Sequence, residues 1–150
     1  MVGALDIMSG QELVQATNPG QIEINADDWK ADFLKTIVSE GKVISYEIEF
    51  NDSNEISKES EEVIQRLGQL LLENPDICLD VQCHTTVSGS EQDDEILTQL
   101  RAEAIKTAIN DQGIEDARIM ASGKGSYEPL EANDTEEGRK KNTRVEFVKL

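Results

Sequence analysis

The chain has 150 residues, of which 31 are acidic and 14 are basic, so its formal net charge at pH 7 is −17. A chain of this length can bury a hydrophobic core without help from disulfides or a metal. Because binding to a phosphate backbone depends on clustered lysine and arginine, the charge argues against a nucleic-acid partner. No segment approaches the roughly 20 apolar residues of a membrane-spanning helix and no signal peptide is visible, so we expect no direct membrane insertion of this segment.

The periodicity of the apolar residues predicts helices that alternate with strands. Residues 1–20 show no clear pattern, and we expect a flexible lead-in there and one domain over 21–150. Helical spacing predicts a helix over 26–40, and strict alternation predicts a strand over 44–50. Further along, the same patterns predict a helix over 58–73, a strand over 77–83, a helix over 92–111, a strand over 117–122, a long loop, ordered or with a short helix at its end, over 123–142, and a strand over 143–149.

Three of these elements indicate which side chains face the core. On the strand over 77–83, Cys83 lies on the core face and Cys78 on the opposite face. The two cysteines are five strand steps, or about 17 Å, apart, so we expect no disulfide between them. Ile77, Leu79 and Val81 are predicted to be buried on the same face as Cys83. The predicted core face of the strand over 44–50 consists of Ile44, Tyr46, Ile48 and Phe50, and that of the helix over 92–111 consists of Ile96, Leu97, Leu100, Ala104, Ile105 and Ala108.

The order of the elements is α-β-α-β-α-β-β. It contains two β-α-β crossovers in succession and ends with two strands that we expect to form a hairpin-like pair. This order predicts a single α/β sandwich, with the helices packed on one face of a mixed sheet and an N-terminal helix preceding the first strand.

Side chains with catalytic or metal-binding chemistry are few and poorly spaced. The single histidine, His84, directly follows Cys83 in a strand, so the two side chains point in opposite directions and cannot form a nucleophile and base pair. Together with Cys78 they supply too few ligands for a metal ion. We therefore expect no enzyme activity, no cofactor and no metal.

An ordered series of motifs runs through the second half of the chain. The motifs are Cys83-His84-Thr85-Thr86, Gly89-Ser90, Asp94 to Ala102, Gly113-Ile114, Arg118-Ile119, Gly123-Lys124-Gly125, Pro129, Asn133 to Arg139, and Asn142 to Glu146. In order and spacing the series resembles the OmpA-like C-terminal domain family, whose pattern runs GHTD, GS, NxxLSxxRA, GI, R[IL], GxG, Pro, NxTxEGR and NRRVE. The resemblance covers about residues 42–148.

The resemblance implies a β/α/β/α/β-β domain that binds the bacterial cell wall without a covalent link, in the periplasm or at the outer membrane. In this family the Asp of GHTD pairs with the ammonium of diaminopimelate in the peptidoglycan stem peptide, and the Arg of RA holds its carboxylate. Arg101 matches that arginine, and Arg144 matches the arginine of the last strand, which supports the same pocket. Thr86 stands at the position of the family's Asp, and Asp94 at that of its Asn.

Thr86 leaves two functions open. A hydroxyl accepts a hydrogen bond from an ammonium but does not neutralise it, so the change costs about 1.5 to 3 kcal/mol of binding. Asp93 or Asp94 is a candidate substitute for the missing carboxylate, although acids at a helix start also simply complement the helix dipole. The first function is attachment of an envelope protein to peptidoglycan. The alternative is a degenerate scaffold that has lost this ligand and serves protein partners or a homodimer.

The net charge also predicts how salt affects binding to the wall. A chain of charge −17 is repelled by anionic wall polymers at low salt. From the net charge alone, we expect affinity for the wall to rise with ionic strength.

Overall fold

The computed structural model describes residues 26–150, with side chains from residue 28 onward. The lead-in predicted over 1–20 lies outside the described residues. The chain divides into two compact units, Met1–Ala31 and Asp32–Leu150. Of the first unit, only the beginning of one helix is described, whereas the second unit contains the sheet and the candidate site.

Helices and strands alternate along the described residues as the periodicity predicts. In chain order they are α1 (Ala26–Glu40), β1 (Lys42–Ser45), α2 (Lys58–Glu73), β2 (Leu79–His84), α3 (Glu91–Asn110), a short 3₁₀ helix (Asp116–Arg118), β3 (Ile119–Gly125), α4 (Glu136–Asn142) and β4 (Arg144–Lys149). Helix α2 has the predicted bounds, and the Ser57 side chain caps it by accepting a hydrogen bond from the Ser60 N–H. No described helix has the length and apolar character needed to cross a membrane.

The strands form one mixed sheet in the order β1-β4-β2-β3. Strand β3 runs parallel to β2, and β4 runs antiparallel to both of its neighbours, β1 and β2. The prediction of a mixed α/β sandwich is confirmed, but the prediction of a hairpin-like final pair is wrong. The last strand enters the middle of the sheet, because the loop and α4 after β3 carry the chain across β2. A central position also buries the first four residues of β4, Arg144 to Phe147.

The core face of β2 is the predicted one, since Ile77, Leu79, Val81 and Cys83 are all buried. Helix α1 adds Phe33, whose ring centroid lies 5.9 Å from that of Phe147 on β4. Helix α2 contributes branched aliphatic side chains, although its Leu72 is exposed. Its buried apolar side chains are Val63, Ile64, Leu67, Leu70 and Leu71.

Two of the predicted faces are wrong in part. Strand β1 ends at Ser45, so the chain leaves the sheet edge within the predicted strand, and Ile44 and Tyr46 are 37% and 49% exposed. Ile48 beyond it is buried as predicted. On α3 the buried side chains include Ile105, as predicted, but Ile96 and Leu100 are about half exposed.

Helix α3 turns small and polar residues inward because it lies against β3 at very short range. A Cβ added to Gly123 would lie 2.3 Å from the backbone nitrogen of Gln99, so only glycine fits there. The Gln99 side chain accepts the Gly123 N–H and donates to the Ala121 carbonyl, and Thr98 accepts the Gly125 N–H. Hydrophobic periodicity does not reveal that this face of α3 points inward, because polar side chains hold it there by hydrogen bonds.

Candidate ligand-binding site

Thr86, Arg101 and Arg144 line one cavity of about 930 Å³. The cavity lies where β1 and β2 end and β4 begins, and its walls also include the loop after β1, α3 and α4. The fold thus brings together three of the four side chains predicted to bind a ligand. Asp94, the fourth, is not part of the lining.

Arg101 is held on two sides within this cavity. Its Nε donates a hydrogen bond to Asn54 Oδ1 at 3.1 Å, and its guanidinium carbon lies 5.0 Å from the centre of the Phe50 ring. Among the described residues, no acceptor takes a hydrogen bond from its two terminal nitrogens. Burial lowers the pKa of Arg101, with the nearby Cys83 acting in the opposite direction, but an arginine stays charged in proteins. A charged, fixed fork with free terminal nitrogens can bind a carboxylate through two hydrogen bonds.

The loop between β1 and α2 presents Phe50 and Asn54 to Arg101. Asn51 Oδ1 accepts the N–H groups of Ser53 and Glu55 at 2.9 and 3.0 Å, which closes a tight turn. Asn54 has a φ of 63°, a left-handed conformation that asparagine tolerates better than most residues. The sequence predicts the turn from its Asn-Asp-Ser-Asn composition, but it gives no signal for the contact with a helix far along the chain.

Thr86 combines a fixed position with a free acceptor. Its hydroxyl donates to Asn133 Oδ1 at 2.7 Å, and its backbone N–H donates to Thr143 Oγ1 at 3.3 Å. The hydroxyl proton is therefore used within the protein, while the oxygen keeps a lone pair for a donor on a ligand. Thr86 can orient an ammonium group but supplies no charge to neutralise it.

Arg144 is buried and donates three hydrogen bonds to other groups of the protein. It donates from Nε to Glu146 Oε2 at 2.7 Å, and from its terminal nitrogens to the carbonyls of Asn142 and Glu128 at 3.0 Å each. Burial acts to raise the pKa of Glu146, but the Arg144 hydrogen bond and charge overcome it and lower that pKa. His84, next to this pair, has its pKa lowered to about 4 by burial and by the Arg144 charge. Arg144 thus anchors the start of β4 to the loop before α4.

Asp94 is buried outside the cavity. Its carboxylate accepts the Ser88 hydroxyl at 2.6 Å and the Ser88 N–H at 3.3 Å, which fixes the loop between β2 and α3. Asp93, the other acid considered from the sequence, is exposed and also absent from the lining. The carboxylates that do line the cavity are Glu49 and Glu136, which sequence reasoning missed because neither occupies a defined position of the motif series.

Cys83 contributes a neutral thiol to the cavity wall. Burial raises its pKa to about 12, against the opposing effect of Arg101. At that pKa the thiolate, which is the reactive form, is scarce near neutral pH. In the part of the chain that the structure describes, no group of three His, Cys, Asp or Glu side chains could hold a metal ion.

Comparison with known families identifies the domain. The sequence profile described as the OmpA family matches residues 50–143, which is well over half of the chain. The chain belongs to the OmpA family. The matched range includes Thr86, Asp94 and Arg101 and ends one residue before Arg144.

Curated relatives of this OmpA-family chain include larger proteins. It is 28% identical to outer membrane porin F of Pseudomonas aeruginosa over 130 residues, which are 85% of this chain and 35% of the porin. It is 32% identical to the peptidoglycan-binding protein ArfA of Mycobacterium tuberculosis over 98 residues, which are 65% of this chain and 30% of ArfA. The chain therefore spans about a third of the length of these relatives.

Solved structures agree with the OmpA-family fold. The peptidoglycan-associated lipoprotein from Burkholderia pseudomallei superposes with a TM-score of 0.62 at 25% identity, covering 75% of this chain and 92% of that one. A MotB-like protein from Desulfovibrio vulgaris superposes with a TM-score of 0.67 at 23% identity, covering 83% and 90%. The resemblance and the fold inferred from the sequence motifs are both confirmed.

Proposed function

We propose that this domain binds peptidoglycan without a covalent link, through the diaminopimelate-containing stem peptide, and so attaches an envelope protein to the cell wall. The observation that carries the proposal is the state of Arg101, a charged side chain that lines the cavity, is fixed at its Nε and has terminal nitrogens that bind no acceptor among the described residues. The relatives add support, since one is a peptidoglycan-binding protein and a similar structure is that of a peptidoglycan-associated lipoprotein.

Arg101 binds a carboxylate of the diaminopimelate group. Its stacking on Phe50 and its bond to Asn54 hold the guanidinium plane before the ligand arrives, so little conformational entropy is lost on binding. Two parallel hydrogen bonds from an arginine to a carboxylate are both short and charge-assisted. This is the strongest single contact that the cavity offers.

Thr86 accepts a hydrogen bond from the ammonium of the same group. Asn133 receives the Thr86 proton, which leaves the lone pairs of the hydroxyl oxygen to accept from the ligand. The negative charge that the ammonium needs comes from the lining itself. The two lining acids, Glu49 and Glu136, are the candidates to supply it.

Arg144 and Asp94 act on the ligand through other groups. Arg144 holds the start of β4 and the loop that carries Glu128. Asp94 holds Ser88 and with it the loop between β2 and α3, which follows Thr86 directly. Both are positioning residues in this proposal, whereas Arg101 and Thr86 contact the ligand.

The location follows from the same proposal. A domain that binds the stem peptide works where peptidoglycan is accessible, in the periplasm or beside the outer membrane. One of the relatives is an outer membrane porin, which agrees with this placement.

The test is calorimetric titration with diaminopimelate and with a stem peptide that contains it. We expect Arg101→Ala to lose about 1.5 to 3 kcal/mol of binding free energy, or roughly ten- to a hundredfold in affinity. The matched control is Arg66→Ala, which removes the same charge from α2, where Arg66 pairs with the exposed Glu62 at 3.3 Å. Equal binding by the two variants would contradict the proposal.

The second candidate function is a scaffold that has lost the ligand and serves protein interactions. The observation that favours it is Thr86, which lacks the charge of the family's aspartate. The variant Thr86→Asp separates the two functions. If the unmodified domain binds no stem peptide and Thr86→Asp does, the pocket is a preserved scaffold and the search turns to protein partners.

A further inference from the structure

The cavity is basic although the chain is strongly acidic. Five basic side chains line it together with two acidic ones, Glu49 and Glu136. Three of the five lie in the last turn of α4 and two are the arginines already described. They are Arg139, Lys140, Lys141, Arg101 and Arg144. A site in which cations outnumber acids favours an anionic occupant.

These cations differ in how fully the protein uses them. Arg144 is committed to Glu146 and two carbonyls, and Arg139 donates to the Asn133 carbonyl at 3.0 Å. Lys140 lies 4.0 Å from Glu136 in an exposed pair, which contributes little by itself. The Lys141 ammonium has no polar partner among the described residues. Lys140 and Lys141 are therefore available to a ligand.

The turn that carries the two lysines is fixed in place. The Tyr46 hydroxyl donates to the Lys141 carbonyl at 3.0 Å, which ties the end of α4 to the chain just beyond β1. The Thr143 hydroxyl closes the same turn by donating to the Arg139 carbonyl at 3.2 Å. The backbone beneath the lysines is thus held at one wall of the cavity.

The cavity also has room for more than the group bound at Arg101. Its volume of about 930 Å³ lies near the upper end of the roughly 300 to 1,000 Å³ typical of small-molecule pockets. A ligand bound at Arg101 can therefore carry a second group to the wall formed by α4.

We propose that Lys140 and Lys141 form a second anion subsite, the α4 subsite, and that one ligand places an acidic group there while another is held by Arg101. The inference rests on the proposed function for its first contact and goes beyond it by naming the ligand class. That class is a peptide or small molecule that carries, besides the carboxylate held by Arg101, a second carboxylate with no neighbouring ammonium group. Free diaminopimelate, in which each carboxylate has a neighbouring ammonium, is then the weaker ligand.

The α4 subsite reverses the salt dependence expected from the net charge. Charges farther than about 10 Å are screened at 0.1 M salt, so the cations of the lining act on a bound anion more than the distant acids do. The affinity for a small polycarboxylate therefore falls as ionic strength rises. From the net charge of −17 alone, the opposite is expected.

The test compares two double variants by calorimetry on the whole chain. Lys140→Gln with Lys141→Gln removes the α4 subsite, and Lys35→Gln with Lys58→Gln removes the same charge from exposed positions outside the cavity. The probes are tricarballylate, which has three carboxylates and no amino group, and the stem peptide. We expect the first double variant to lose roughly tenfold in affinity and the second to match the unmodified chain.

A third probe locates the contact on the ligand. It is the stem peptide with the carboxylate outside the diaminopimelate group converted to a carboxamide. The unmodified chain should bind the carboxamide peptide about as weakly as the Lys140→Gln, Lys141→Gln variant binds the unmodified stem peptide. That double variant should bind the two peptides with equal affinity. Equal effects of the two double variants, or an affinity for tricarballylate that rises with salt, would overturn the α4 subsite.

Failure of this inference and failure of the proposed function give different results. If Arg101→Ala abolishes stem-peptide binding and the lysine variant leaves it unchanged, the proposed function stands and the α4 subsite falls. If tricarballylate binds with dependence on the two lysines and no stem peptide binds, the subsite stands and the proposed function falls. Absence of binding by both probes overturns both.

Discussion

Asn54 accepts the Nε–H of Arg101 at 3.1 Å, although the two residues are 47 positions apart in the chain. The contact joins the turn after β1 to the middle of the face of α3 that lines the cavity. Asn54 also adopts a left-handed conformation with a φ of 63°. A strained residue whose side chain fixes the arginine proposed to bind the ligand is a case in which backbone strain can serve a site.

The variant Asn54→Gly tests this link, because glycine adopts the same φ without strain and only the amide is removed. We expect affinity for the stem peptide to fall roughly tenfold, since Arg101 is then free to leave its binding position. Calorimetry measures the affinity, and Asp52→Gly in the same exposed turn controls for added flexibility. Equal affinities in the two variants would show that Asn54 does not position Arg101.

Asp94 offers a second prediction because its neighbour Asp93 is a natural control. Both acids lie in the first turn of α3, but only Asp94 is buried and bonded to Ser88. We expect Asp94→Ala to lower the free energy of unfolding by about 1 to 3 kcal/mol and Asp93→Ala to change it by less than about 0.5 kcal/mol. Urea unfolding measures both.

The same pair of variants shows whether Asp94 only positions the loop or contacts the ligand itself. Because Asp94 holds the loop and does not contact the ligand in this proposal, we expect the stem-peptide affinity of a folded Asp94→Ala domain to stay within about threefold of the original. A loss as large as that of Arg101→Ala would instead place the Asp94 carboxylate on the ligand.

The buried His84 predicts how stability depends on pH. Burial and then the Arg144 charge lower its pKa to about 4, with Glu146 and Glu128 opposing and Lys124 adding to the effect. Well above pH 6.5 His84 is neutral in both the folded and the unfolded state. Between pH 6.5 and 4 His84 is protonated in the unfolded chain but stays neutral in the folded chain. The free energy of unfolding therefore falls as the pH falls, by about 2 to 3 kcal/mol in total.

Urea unfolding between pH 7 and pH 4 checks this dependence. The variant His84→Gln has no titrating group at this position, so its free energy of unfolding should change less over that window. The lowered pKa of Glu146 adds a further loss of stability at the acid end of the scale, which both proteins share. A steeper decline in the variant than in the original chain would contradict the assignment to His84.

The contact of Gly123 with α3 gives a prediction on stability alone. A methyl group at this position meets the backbone of Gln99, which cannot move aside, so Gly123→Ala should cost about 1 to 3 kcal/mol. Gly89→Ala is the control, because the nearest atom to an added Cβ there is Asp93 Oδ2 at 3.8 Å. Thermal or urea unfolding distinguishes the two, and a neutral Gly123→Ala would mean that α3 and β3 separate easily.

Much of the fold is predictable because its periodicity is strong. Helix α2 carries a regular apolar stripe between Ser57 and Pro75, and its bounds match. The pairing of β4 is not predictable from alternation, which tells whether a strand is buried and not which strands flank it. The inward face of α3 is missed for another reason, since Thr98 is buried by a hydrogen bond and not by hydrophobicity.

The candidate site also contains residues that the sequence predicts and residues that it does not. Motif spacing leads to Thr86, Arg101 and Arg144, which meet in one cavity. It does not lead to Asn54 or Phe50, because their roles arise from contact with Arg101 in the folded chain. The basic character of the cavity is also hidden in the sequence, where Lys140 and Lys141 appear as the ordinary basic end of a short helix.

The hydrogen bonds between α3 and β3 bear on how the domain behaves beside other copies of itself. An outer strand normally exposes a row of unpaired backbone groups that a second chain can join, and this is a common start of aggregation. On β3, Gln99 binds Gly123 and Ala121, and Lys106 binds the Ile119 carbonyl. These bonds occupy the Ile119 and Ala121 carbonyls and the Gly123 N–H, so a foreign strand finds fewer free backbone groups on β3 to pair with.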